Sequence, residues 1–136
     1  MANDAVETEA QRATDGFYAA LRALFTGDVG PMFELWSHAD DTLYLGPDGG
    51  IHAGWPAIRA DWEAQAALKL GGDIQHDMVF VTATDDLAVT TCNGVGHNVG
   101  PDGTRLDVRL RGTHVFRREN GALKLINFHS DLLPYL

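Results

Sequence analysis

The segment Val108-Arg-Leu-Arg-Gly-Thr-His-Val-Phe-Arg-Arg-Glu-Asn-Gly-Ala-Leu-Lys-Leu-Ile-Asn-Phe-His-Ser-Asp131 reads as two alternating strands joined at Asn120-Gly121. Both turn residues tolerate the positive φ of a type I′ hairpin turn, so the turn sets a register. With Glu119 and Ala122 flanking it, Phe116 is expected opposite Leu125, His114 opposite Asn127, and Gly112 opposite His129, all on one face of a sheet. That face is apolar beside the turn and polar at its far end. Such a switch is the pattern of a cavity that places hydrogen-bonding groups among apolar walls.

Upstream, residues 73–84, 87–99 and 104–118 also read as strands, with turns at Asp85-Asp86 and Pro101-Asp102. Two-residue turns at both places bring Ile74, His76, Met78, Phe80, Thr82, Val89, Thr91, Asn93, Val95, His97, Leu106, Val108 and Leu110 onto the face that carries His114 and His129. A single β-bulge would flip the residues beyond it. The opposite face receives Arg105, Asp107, Arg109, Arg111 and Lys124, mixed with Cys92, Val115, Ile126 and Phe128. Its apolar middle predicts cover by a partner subunit, and a homodimer through the outer sheet face is expected.

The first seventy residues read differently. Val6, Ala10, Ala13, Phe17, Leu21 and Leu24 recur every three or four positions, which predicts a helix over 5–26. Thr26-Gly27-Asp28 ends it, Gly27 suits the left-handed position after a helix, and Asp28 suits the cap of a second helix over 29–36. A short strand follows over 40–45, then a turn cluster at 46–50 and a brief strand at Ile51-His52. Gly54-Trp55-Pro56 opens a third helix, with Ile58, Trp62 and Ala66 on its inward stripe and Gly71-Gly72 beyond its end.

Composition sets limits on function. The 136 residues are 45% hydrophobic and 21% charged, which is ordinary for one globular domain spanning 1–136. A formal net charge of -9 argues against nucleic acid or an anionic membrane as partner. Cys92 is the single cysteine, which excludes an intrachain disulfide and a cysteine-based metal site. No stretch has the length of a membrane span and the start lacks a leader-like pattern, so a cytoplasmic protein is expected. Six histidines raise the question of a metal, yet no His-x-His or His-Glu-x-x-His spacing occurs and no metal is expected. The glycines at 46, 49, 50 and 54 precede no phosphate-cradling signature, and no cofactor is expected.

The order helix, helix, two short strands, helix, long antiparallel meander resembles the SnoaL-like branch of the nuclear transport factor 2-like superfamily. Leu35-Trp36-Ser37, Asp41-Thr-Leu-Tyr-Leu-Gly-Pro47, Gly54-Trp55, Thr113-x-Val-Phe116 and Ile126-Asn-Phe-His-Ser130 carry the resemblance over essentially the whole chain. The last two segments also resemble the association domain of calmodulin-dependent kinases. The resemblance implies an α+β cone in which three N-terminal helices pack in a strongly curved, mixed six-stranded sheet with a pocket at its open end. Members include isomerases, polyketide cyclases, epoxide hydrolases, dehydratases and assembly domains, so the fold does not select an activity.

Candidate site residues follow from chemistry. His129 titrates near neutrality and suits proton transfer, while a structural histidine bonded across strands is the alternative. His114 with Asn127 opposite can hold an oxyanion or form a satisfied buried pair. Tyr44, Trp36, Trp62, Met78, Asn93 and His97 are the expected substrate contacts. Tyr44 donates into the cavity if its side of the strand is inward, and Leu43 and Leu45 replace it if not. Asp40 and Asp41, where helix gives way to strand, suit surface or capping roles better than that of a general base. Two functions stand at this point. One is a binder of a small hydrophobic molecule that acts on it by cofactor-independent acid–base chemistry, through His129 with His114 and Asn127 orienting a substrate oxygen. The other is a non-catalytic ligand-binding or assembly domain.

Overall fold

The computed structural model describes residues 2–133. Helix α1 (Ala2–Phe25) is followed by α2 (Gly30–Leu35), β1 (Leu43–Leu45), β2 (Ile51–Ala53), α3 (Trp55–Leu68), and then β3 (Asp73–Ala83), β4 (Leu87–Val99), β5 (Arg105–Glu119) and β6 (Ala122–Leu132). The strands form one six-stranded sheet in the order β2-β1-β6-β5-β4-β3. It is mixed, because β1 runs parallel to β6 and the other pairs are antiparallel. The sheet is curled but not closed, and the helices fill its concave side. Among the described residues no helix is long and apolar enough to cross a membrane.

Each helix is terminated by local chemistry. Gly27, at φ 99°, ends α1, with its N–H on the Leu24 carbonyl and the Asp28 N–H on that of Ala23. The Asp28 carboxylate accepts the Gly30 N–H, and Pro31 follows in the first turn of α2. The third helix stops earlier than Gly71-Gly72: Lys69 adopts the left-handed conformation, at φ 46°, and its N–H closes on Ala66. Beneath the helices Phe17, Tyr18, Leu24, Met32, Trp36, Ile58, Trp62, Phe116 and Leu125 are all essentially inaccessible.

The Asn120-Gly121 turn forms with φ of 51° and 84°, and Phe116 does pair with Leu125. Beyond that point the expected register fails. Val115 pairs with Asn127, so Ile126 is an extra residue and a β-bulge; His114 then faces Phe128, Thr113 faces His129, and Gly112 faces Ser130. Asn127, His129 and Asp131 are therefore on the convex face, and Phe128 and Ser130 point into the cone.

A second correction comes from the loop after β4. It is a three-residue connection, Pro101-Asp102-Gly103, with Gly103 at φ 81° and the Gly100 N–H on the Thr104 carbonyl. One extra loop residue puts Gly94, not Asn93, opposite Leu110. Ala88, Thr90, Cys92 and Gly94 consequently point inward, and Val89, Thr91, Asn93, Val95 and His97 outward. The turn at Asp85-Asp86 is as expected, but a bulge at Val79 keeps Ile74, His76 and Met78 inside while sending Phe80 and Thr82 out.

Candidate functional site: an apolar cavity with a hydrogen-bonding floor

The curvature of the sheet leaves a cavity of about 220 Å³ between α1, α3 and the concave faces of β1 and β3–β6. Its buried end is made by Leu21, Tyr44, Trp62, Ile74, Leu110, Phe128 and Ser130. Its rim is half-buried or exposed: Phe25, Pro47, Gln65, Leu70, Asn98, Val108 and Leu132.

Tyr44 takes the inward position of its strand and is 2% exposed, with Leu43 and Leu45 on the other side. Its ring stacks on Trp62 at 4.5 Å and 10°. Gln65 Nε2 donates to Tyr44 Oη at 3.1 Å and to Asp61 Oδ2 at 2.6 Å, and Asp61 Oδ1 lies 3.3 Å from His52 Nε2. Asp61 and Gln65 are one turn apart on α3, so the helix holds a carboxylate and an amide in line with the phenol. Burial pushes the Tyr44 hydroxyl well above the usual phenol range, so it remains protonated and able to donate. The Ser130 hydroxyl and the Trp62 indole N–H are buried without a hydrogen-bond partner.

Below this cavity lies a second polar group. Thr14 Oγ1 donates to the Ala10 carbonyl at 2.8 Å, so across the 2.7 Å contact with Thr90 Oγ1 it must accept. The Thr90 proton is thereby used, and His114 Nδ1 at 3.3 Å is its donor, with the Thr90 carbonyl also at 3.4 Å. The relay fixes the Nδ1–H tautomer and leaves Nε2 as an acceptor, buried and unpartnered. His114 is fully buried, and loss of solvation pushes it down to about 3. It is a neutral residue at physiological pH, packed at 4.9 Å against Phe17 and 4.8 Å against Phe128. Nearby, burial lifts the Cys92 thiol to about 11, which makes it unreactive.

The structure divides the residues singled out from sequence. Tyr44 and Trp62 meet in the cavity. Trp36 is buried but borders the core, 6.1 Å from Tyr44 and behind the cavity wall. Met78 points inward and receives the Cys92 thiol at 3.7 Å. His129 is exposed on the convex face in a shallow recess with Thr91, Thr113, Arg111 and Asp131, where Arg111 grips Asp131 through two nitrogens. His114 and His129 are thus on opposite faces of the sheet. Asn93 and His97 are also outside, His97 beside Asp73 and Asp107, and Asn127 lies between Val115 and Leu43. Asp40 is exposed, and Asp41 pairs with Arg117 at 2.6 Å, which holds its carboxyl below the usual range. Sequence reasoning passed over Gln65, Asp61, His52, Ser130 and the Thr14–Thr90 pair. The one-turn spacing of Asp61 and Gln65 beside Trp62 was a usable signal; Ser130 was hidden by the bulge.

A curled α+β sheet of this kind is shared by many solved structures, and comparison with known families narrows the choice. The family model of the SnoaL-like domain matches residues 12–134. This chain belongs to the SnoaL-like family. A candidate dehydratase of the NTF2-like family from Streptomyces avermitilis superposes with a TM-score of 0.80 at 22% identity, covering 96% of this chain and 98% of that one. A candidate calcium/calmodulin-dependent protein kinase type II association domain from Thiobacillus denitrificans gives 0.76 at 23%, covering 90% and 94%. A candidate aromatic ring hydroxylase from Novosphingobium aromaticivorans gives 0.74 at 17%, covering 98% and 92%. At these identities the likeness establishes the fold alone. No curated protein matched the sequence.

Proposed function

We propose that this SnoaL-like chain binds a compact, largely apolar small molecule in the cavity between α1, α3 and the concave sheet. The observation that carries the proposal is a fully buried apolar end that retains polar groups without partners, a combination a folded core avoids unless something else fills it. Of the two functions open from sequence, ligand binding is favoured over acid–base catalysis. Among the described residues, none that lines the cavity titrates near neutrality, and Tyr44 is held protonated. The test is a thermal-shift titration with a panel of bicyclic apolar compounds, repeated on Val108→Trp, which fills the rim from a half-buried position. Ligands are expected to raise the Tm of the parent and leave that of Val108→Trp unmoved. A panel that moves neither protein, or moves both equally, overturns the proposal.

A homodimer through the convex face accompanies this reading. Ile51, Leu45, His129, Thr113, Thr91 and Phe80 form one continuous row across all six strands. Phe80 is 52% and Val95 50% exposed on this face, which is more apolar surface than a wetted sheet normally offers. Sedimentation of the parent is expected to give a dimer, and the double variant Phe80→Glu, Val95→Glu a monomer with an unchanged circular dichroism spectrum. A monomeric parent at micromolar concentration would refute the assembly.

A further inference from the structure

The convex face carries a histidine in the middle of the surface that a second copy would cover, an inference that rests on the homodimer proposed above. His129 is the third of six residues in the row that crosses all the strands, with Leu45 of β1 on one side and Thr113 of β5 on the other. It is exposed, and its imidazole has no hydrogen-bond partner among the described residues. With Thr91, Thr113, Arg111 and Asp131 it lines a recess of about 280 Å³. Two charged groups face it there. Asp131 is two residues along the same strand and on the same face, and Arg111 stands opposite Asp131 on β5. The neighbours from β1 and β4, Leu45 and Thr91, do not ionise in this range. Arg111 bonds both oxygens of Asp131, through Nε at 3.0 Å and through Nη2, so the one carboxylate beside His129 is already neutralised.

We propose that this homodimer is gated by a proton, forming while His129 is neutral and separating when His129 is charged. A two-fold interface joins a patch to its own copy, so a residue in the middle of the patch approaches its symmetry mate. A neutral imidazole is covered there at small cost. An imidazolium loses its hydration in a recess with no free carboxylate, adds to the charge of Arg111, and meets a like charge from the other copy. Histidine changes charge between about pH 5 and pH 8, so the separated chains take up protons that the dimer refuses, and association weakens as pH falls. His97, also on the convex face, has Asp73 opposite it on β3 and Asp107 on β5 to receive its charge. The net charge of -9 acts in the other direction: acidification lowers the repulsion between two copies and by itself favours association. Separation on acidification is therefore a signature of a local group.

The test is sedimentation of the full chain at pH 8 and pH 5.5 at one ionic strength, with circular dichroism to show that it stays folded. The dissociation constant of the parent is expected to be at least about tenfold larger at pH 5.5. His129→Gln, neutral at both values, should remain dimeric at both; His129→Lys, charged at both, should be monomeric at both. His97→Gln should keep the pH response of the parent. A parent equally dimeric at the two values, or a His129→Gln variant that separates on acidification as the parent does, overturns the proton gate and retains the homodimer. A parent monomeric at both overturns the homodimer itself.

Discussion

Between pH 7.5 and pH 4 the folded protein is expected to lose about 3 kcal/mol through His114 alone, a loss absent from His114→Leu. The cause is the tautomer-fixed, solvent-free position of this histidine, whose pKa falls to about 3 in the fold from 6.5 when unfolded. Below pH 6.5 the unfolded chain takes up a proton that the native state refuses, so stability contributed by His114 is complete above that pH and declines as pH falls toward 3. Leu is the informative replacement. It removes the unpartnered Nε2 and the Nδ1–H together, and Thr90 keeps its bond to Thr14. Urea denaturation at several pH values measures the difference directly. The carboxylates held down by arginine, Glu9 by Arg118, Asp41 by Arg117 and Asp131 by Arg111, also lose stability on acidification, but they do so equally in both proteins. Parallel profiles for parent and variant would show that His114 protonates inside the fold.

That result bears on function as well as stability. A histidine that stays neutral across the physiological range and lies beneath the cavity wall supports the architecture rather than moving a proton for a ligand. The polar character of this residue is spent on fixing α1 to β4 and β5 through Thr14 and Thr90. The buried polar groups that line the cavity are those of Tyr44, Trp62 and Ser130.

The same region shows what the chain disclosed and what it withheld. The element order was legible because each signal was local: a stripe every three or four residues for α1, Gly54 and Pro56 at the start of α3, alternation and Asn120-Gly121 for β5 and β6. Trp62 was legible on the inward stripe of α3 with Ile58 and Ala66, whereas the side of Tyr44 was not, because alternation alone allows Leu43 and Leu45 to be inside instead. The true partners of His114 and Gly112, expected to be Asn127 and His129, were not legible, because alternation has a period of two and Ile126 adds one residue to one strand. Nothing in Leu125-Ile126-Asn127 distinguishes a bulge from regular strand, since all three residues suit either. The loop at Pro101-Asp102-Gly103 failed for a related reason. Pro-Asp-Gly supports a three-residue connection with Gly in the left-handed position as readily as a two-residue one, and the choice moves every residue of β4 to the other face. The inward position of Ser130 depended on the first outcome and that of Asn98 at the rim on the second.

Gly72→Ala is expected to cost 3 kcal/mol or more, roughly the sum of a conformational and a steric penalty. At φ 89° the backbone is in a region where an added Cβ is strained, and that Cβ would stand 1.9 Å from the His97 carbonyl oxygen and 2.8 Å from its carbon. The obstacle is backbone, which cannot rotate aside as a side chain would. Around it the Val99 N–H bonds the Leu70 carbonyl, the Gly71 N–H bonds that of Phe25, and Asn98 reaches Gly71, so the segment after α3 is tied to the ends of both β4 and α1. Relief of the clash must separate this segment from β4, and Leu70 on the segment and Asn98 on β4 both belong to the rim of the cavity. Gly49 supplies the control: its φ is 93°, but nothing lies within 4 Å of an added Cβ. Gly49→Ala should therefore show the conformational penalty alone, about 1–2 kcal/mol, and leave ligand affinity intact. Denaturant midpoints for the two variants, read beside their affinity for the apolar panel, separate strain from contact. A Gly72→Ala protein no less stable than Gly49→Ala would mean that the close approach to His97 is not what holds the rim.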